Sequence, residues 1–188
     1  MKKKRKKIIG VDEAGRGPLA GPVFAGAAFI INEEASFLKK VRDSKKLSEK
    51  KREKIFDSMM ESEDVLISVA HVGPEIIDEI NILEATKRAM KDAVEGIDRE
   101  GLVVVDGNFS IPIKRDQKSV VKADETILEC SLASVAAKVS RDRVMRGFDK
   151  KFPHYGFAGH KGYPTKAHKE AIKRLGPSPI HRKSFNLN

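Results

Sequence analysis

The sequence predicts an α/β fold in which helices flank a central β-sheet. Two observations carry that reading: short apolar runs rich in β-branched residues and bounded by turn formers, and helical periodicities between them. A third sets the scale. With 188 residues and 40% hydrophobic content, the chain can bury one sizeable core, so one domain is expected over residues 1–188.

Ile8 to Val11, Val23 to Ile31, Val65 to Val72 and Leu102 to Val105 are the predicted strands. Ser48 is placed to cap a helix running to about Met60, and Pro74 suits the first turn of another. From Ile82 to Gly96, the residues Ile82, Thr86, Ala89, Met90, Ala93 and Val94 fall on one helical face, with Gly96 as the stop. Asp124 stands as the expected N-cap of a small-residue helix through Leu132, Ala133, Ala136 and Val139. A last helix is expected from Thr165 to Leu175, ended by Gly176.

Charge is segregated along the chain. The net charge is +10, but residues 2–7 contribute +6, residues 8–137 sum to −6, and residues 138–183 return +10. An acidic body followed by a basic helical and loop segment, about 138–188, suits a protein that must hold both cations and phosphates. Residues 1–7 read as a basic flexible tail. Cys130 is the only cysteine, which excludes an intrachain disulfide and fits a reducing compartment, with burial as its expected role. The longest uncharged stretch, Gly17 to Asn32, is interrupted by Gly and Pro and is shorter than the ~20 residues of a membrane-spanning helix. Asp12 and Glu13 follow the basic tail too closely for a secretory signal, so a cytoplasmic protein is expected.

Two predicted strands end alike, Ile8-Ile9-Gly10-Val11 running into Asp12 and Val103-Val104-Val105 into Asp106. Ligands gather at strand ends in open α/β sheets, so these acids are candidates to converge. Singly, each has an innocent explanation: Asp106-Gly107 is an ordinary turn pair, Asp12-Glu13 could be solvated, and Asp124 could be only a cap. Brought together, such carboxylates would repel one another unless cations neutralised them. An oxygen-only donor set favours Mg²⁺ or Mn²⁺ over Zn²⁺. Neighbouring side chains on a regular strand point to opposite faces, so either the backbone turns directly after Asp12 or Glu13 acts partly through its carbonyl or a water. Gly15-Arg16-Gly17-Pro18 supplies a turn that also lets a ligand approach the main chain.

Seven further blocks, DEAGRGPLAGPV at 12–23, DSKKLS at 43–48, NILEATKRAM at 81–90, VVVDGN at 103–108, ASVAAKVSRDR at 133–143, HKGYPTKAH at 160–168 and SPIHRKSF at 178–185, occur in this order. In these blocks the chain resembles the ribonuclease HII family, the type 2 bacterial ribonucleases H. It implies a ribonuclease H-like fold, a central mixed β-sheet flanked by helices. It also implies an endonuclease that cuts the RNA strand of RNA/DNA hybrids and incises 5′ of ribonucleotides embedded in DNA, leaving 3′-hydroxyl and 5′-phosphate ends. By the same resemblance Asp12, Glu13, Asp106 and Asp124 are the catalytic acids and hold two divalent ions, Mg²⁺ or Mn²⁺. Gly15, Arg16 and Gly17 would track ribose 2′-hydroxyls, and Tyr163 would recognise the step from ribonucleotide to deoxyribonucleotide. Ser44, Lys45, Lys46, Lys138 and Arg141 are further candidate substrate contacts, with Lys138, Arg141 and Arg143 equally explicable as a solvated helix face. A monomer is expected, since nothing resembles a heptad or a large apolar patch.

Two departures from the family pattern stand out: Glu125 follows Asp124, with Glu129 a turn later, and the chain stops at Asn188 without the helical extension many members carry. Substrate affinity is therefore expected to lean on Lys138 to Lys183. The competing readings are a nucleic-acid-binding protein with structural acids and a DNA junction resolvase of related fold.

Overall fold

In the computed structural model the described residues are 7–42 and 48–187. Residues 1–6 of the basic tail and the candidates Ser44, Lys45 and Lys46 lie outside them. Five strands of the described residues form one sheet: β1 (Ile8–Ala14), β2 (Val23–Ile30), β3 (Val65–Val72), β4 (Leu102–Asp106) and β5 (Gln117–Val120). Their order is β3-β2-β1-β4-β5. β1 pairs antiparallel with β2, as β2 does with β3, whereas the β1–β4 and β4–β5 pairs are parallel, so the sheet is mixed.

Among the described residues, seven helices accompany it: α1 (Ser36–Arg42), α2 (Glu49–Glu61), α3 (Pro74–Ile80), α4 (Ile82–Glu95), α5 (Leu128–Lys151), α6 (Phe157–His160) and α7 (Lys166–Leu175). None among the described residues is long and apolar enough to cross a membrane. The predicted punctuation holds at several ends. Ser48 accepts the Lys51 N–H at the start of α2, Pro74 opens α3, and Thr165 accepts the His168 N–H at the start of α7.

Two apolar layers sandwich the sheet. On one face Ile9 and Val11 of β1 pack with Ala85, Ala89, Met90 and Ala93 of α4, the stripe expected from the 3.6-residue period. On the other face α5 lies against β1 and β2, with α1 and α2 beyond it. Two glycines set how closely α5 approaches. A Cβ at Gly10 would come within 2.2 Å of the Glu129 carbonyl carbon, and one at Gly26 within 2.3 Å of the Ala133 oxygen. Cys130 is buried there with its thiol near the Val104 carbonyl at 3.5 Å, and burial pushes that thiol up to about 12.

Two expectations need correction. Asp124 does not cap α5: it lies in a separate 3₁₀ turn, Ala123–Glu125, and Ile127 holds the cap position. The left-handed Lys122 (φ 57°) diverts the chain into that turn, and Asp106 takes the Asp124 N–H. Nor does β1 end at Val11. Its pairing with β4 ends at Val11↔Val105, but pairing with β2 continues through Asp12↔Gly26 and Glu13↔Ala25 to Ala14↔Phe24.

Candidate active site

Asp12 and Asp106 reach the same place because β1 and β4 are parallel neighbours that both point their C-terminal ends there. Asp124 arrives from the turn that follows β5. One carboxylate oxygen from each of Asp12, Asp106 and Asp124 lies within 4.8 Å of the other two. Strand alternation sends Asp12 to the α5 side, where the Ser134 hydroxyl hydrogen-bonds its carboxyl. Asp106 Oδ2 accepts the Asp124 N–H at 3.0 Å, and Ser131 Oγ donates to the Asp124 carbonyl.

Glu13 is outside that trio. As the next residue along a continuing strand it falls on the opposite face, and its Oε1 meets Arg16 Nη1 at 3.3 Å. It is still close enough to Asp106 for their charges to repel. Burial pushes the Asp12 carboxyl well above the ordinary carboxylate range, opposed by the Ser134 hydrogen bond and reinforced by the Glu13 and Asp106 charges. Burial likewise raises Glu13, against the pull of Arg16. Asp124 is raised by burial and then by its contact with Asp106. Crowded carboxylates with oxygen as the sole donor type are a chemical fit for hard divalent cations.

The glycine turn leaves directly from β1. Gly15 adopts φ +98°, and a Cβ there would meet Arg141 Nε at 2.1 Å. Arg141 is 0% exposed and gives Nε to the Pro22 carbonyl and Nη2 to the Ala20 carbonyl. Arg182, equally buried, binds the carbonyls of Gly21, Arg16 and Gly15. Two guanidiniums thus hold residues 15–22 from beneath. Arg16 and Gly17 are exposed, and Tyr163, 39% exposed, brings its ring to 3.8 Å from a Cβ position at Gly17 and 5.8 Å from the Arg141 guanidinium. The turn carrying Tyr163 is stitched to the same loop through Leu19 N–H to the Gly162 carbonyl at 2.8 Å.

Sequence reasoning took Arg141 for a surface contact; full burial and its carbonyl partners make it a scaffold of the glycine loop. Lys138 has both Asp142 carboxylate oxygens on its Nζ, at 2.6 and 2.7 Å, so its charge is matched. Arg143 is not merely solvated. With Arg146 it binds Glu53, and the two also reach Asp57 and Glu49, joining α5 to α2. Arg182 carried no signal beyond its place in SPIHRKSF, because a buried arginine serving carbonyls looks like any other basic residue in sequence.

Carboxylates gathered at the ends of adjacent strands, on a mixed five-stranded sheet of this order, define a nuclease of the ribonuclease H-like class. The family described as Ribonuclease HII matches residues 9–188. A Ribonuclease HII of Acetivibrio thermocellus is 48% identical over 97% of this chain and 71% of its own length, and one of Francisella tularensis subsp. novicida is 44% identical over 95% of both. Among solved structures, the ribonuclease H2 of Pyrococcus horikoshii aligns with a TM-score of 0.76 at 29% identity, covering 96% of this chain and 94% of that one. The RNase HII in the PCNA complex from Archaeoglobus fulgidus gives 0.78 at 26%, covering 94% and 92%. A Bst-RNase HIII solved with Mn²⁺ shares the fold, with a TM-score of 0.73 at 17% identity over 97% of this chain and 68% of that one. This chain belongs to the ribonuclease HII family, endonucleases that hydrolyse RNA in RNA/DNA hybrids and use divalent metal ions.

Proposed function

We propose that this protein cleaves the RNA strand of RNA/DNA hybrids and incises 5′ of ribonucleotides embedded in duplex DNA, leaving 3′-hydroxyl and 5′-phosphate ends. It acts as a monomeric cytoplasmic enzyme with one catalytic domain, serving ribonucleotide removal in DNA replication and repair. The observation that carries the reading is the meeting of Asp12, Asp106 and Asp124 oxygens within 4.8 Å at the root of the Gly15–Gly17 turn.

Asp12, Asp106 and Asp124 would hold the ions, with Glu13, on the opposite face of β1, joining them partly through its carbonyl or a water. Two ions, Mg²⁺ or Mn²⁺, supply activation of the attacking water and stabilisation of the leaving 3′-oxygen when bound. The protein's own residues do the rest. Asp106 fixes the Asp124 backbone, Ser134 orients Asp12, and Arg16 holds Glu13 beside the glycine turn. Of Gly15, Arg16 and Gly17, the last two are exposed and would present the turn to a ribose 2′-hydroxyl, the group that separates RNA from DNA at one position, while buried Gly15, its carbonyl held by Arg182, sets the path of the turn. Tyr163, exposed over Gly17, packs on the adjoining sugar, with its hydroxyl free to hydrogen-bond.

Gel analysis of a DNA duplex carrying one ribonucleotide, with and without Mg²⁺ or Mn²⁺, tests the proposal. Ion-dependent incision on the 5′ side of the ribonucleotide is expected. Cleavage of a four-way DNA junction in preference to that duplex would favour a resolvase, and binding with no cleavage under any ion would favour a pure binder.

A further inference from the structure

Behind Tyr163 lies a buried chain of histidines that the catalytic proposal leaves unused. The Ser178 backbone N–H donates to His181 Nδ1 at 2.8 Å, so that nitrogen carries a lone pair and the proton of a neutral ring sits on Nε2. His181 Nε2 is 3.0 Å from His168 Nε2, which must therefore accept. The His168 proton is then on Nδ1, and it donates to the Tyr163 carbonyl at 2.9 Å. Both rings are fully or almost fully buried. The hydrogen bonds run in one direction from Ser178 to Tyr163, and each tautomer follows from the one before.

His160 supports the same turn independently. Its Nδ1 accepts the Gly162 N–H at 3.1 Å, its Nε2–H donates to the Tyr155 carbonyl at 2.7 Å, and its ring stacks on His168 with centroids 4.2 Å apart. Burial lowers His168 to about 4, in keeping with a ring that has no room for a second proton facing His181.

We propose that His168 and His181 are positioning residues for Tyr163, a relay of two fixed neutral tautomers that sets the height of its ring over Gly17. The inference rests on Tyr163 reading the ribonucleotide-to-deoxyribonucleotide step. Small displacements of such a group are felt strongly, since a misplacement of about 1 Å can lower a rate on the order of a hundredfold.

Two measurements test it. The first uses the unaltered protein: ring ¹⁵N shifts at neutral pH should report His168 as the Nδ1–H form and His181 as the Nε2–H form. A charged ring or the opposite tautomer at either position overturns the relay. The second compares His168→Leu, His168→Asn and Tyr163→Ala by kcat and KM on a single-ribonucleotide duplex and on a uniform hybrid. His168→Leu should lower kcat on the single ribonucleotide roughly tenfold more than on the hybrid. His168→Asn, whose amide can still donate towards the Tyr163 carbonyl, should recover most of that difference. Equal losses on both substrates, or no rescue by Asn, would make His168 structural only. If Tyr163→Ala itself leaves the substrate ratio unchanged, the reading of Tyr163 fails and takes this inference with it.

Discussion

Asp106 and Asp124 are at once repelling charges and hydrogen-bond partners: Asp106 Oδ2 accepts the Asp124 backbone N–H at 3.0 Å while the two carboxylates crowd one another. The bond fixes the turn that delivers Asp124, so one residue both builds the acidic cluster and belongs to it.

Replacement of Asp106 by Asn keeps an oxygen able to accept that N–H but removes a charge. Cleavage of hybrid should fall at least about a hundredfold, with folding and hybrid binding retained. Single-turnover gel assays and fluorescence anisotropy check both halves; a variant that still cuts at near wild-type rate would remove Asp106 from the chemistry.

Divalent ions should stabilise the protein more at high pH than at low. Asp12, Glu13 and Asp124 hold protons more tightly when folded than when unfolded. Their contribution to stability is therefore present below the ordinary carboxylate range and lost as pH rises through their raised values. Mn²⁺ replaces the missing protons, with a gain of about 2.7 kcal/mol at a hundredfold excess over Kd. Melting curves with Mn²⁺ and with chelator, at about pH 5 and pH 8, should diverge chiefly at the higher pH. An equal or absent shift at both would contradict a preformed cation site.

Alanine at Gly15 meets two obstacles, a left-handed backbone and the Arg141 guanidinium 2.1 Å from the new Cβ. The backbone alone costs about 1–2 kcal/mol, and displacing Arg141 loosens the carbonyls of Ala20 and Pro22. Urea denaturation should show the loss, accompanied by a raised KM. Unchanged stability and KM would mean that the loop does not depend on this contact.

The ion pairs of Glu53 with Arg143 and Arg146 offer a milder test away from the site. Partial burial works against the charged Glu53, but hydrogen bonds from Arg143 and Arg146 hold its carboxyl below the usual range. Its contribution is present above the unfolded carboxylate range and disappears as pH falls through the lowered value. Glu53→Gln should destabilise by about 0.5–1 kcal/mol at pH 7 and by less near pH 3, with cleavage unaffected. Chemical denaturation at the two pH values measures it.

What the sequence made legible follows from burial. β1 to β4 are apolar runs covered on one or both faces, so composition announces them. β5 was missed because Gln117-Lys118-Ser119-Val120 is a short, polar edge strand defined by its pairing with β4 rather than by its own residues. Asp12 and Asp106 could be anticipated from their strand ends. Asp124 lies beside Asp12 and Asp106 in space, but in a 3₁₀ turn and not at the expected N-cap, since the two share the same residue preferences. The burial of Arg141 and the three carbonyls held by Arg182 depend on contacts more than a hundred residues apart, beyond any local pattern.

Helix α5 touches both ends of the working surface, with Ser134 on Asp12 and Arg141 beneath Gly15. Seven residues separate them, two turns or about 10.5 Å along one rod. Because Gly10 and Gly26 seat that rod directly on the strands, any tilt of it moves the acid cluster and the glycine loop together. Changes that adjust sugar discrimination without disturbing hydrolysis must therefore enter from the other supports, the carboxy-terminal segment that carries Arg182 and the histidines behind Tyr163, and not through the helix.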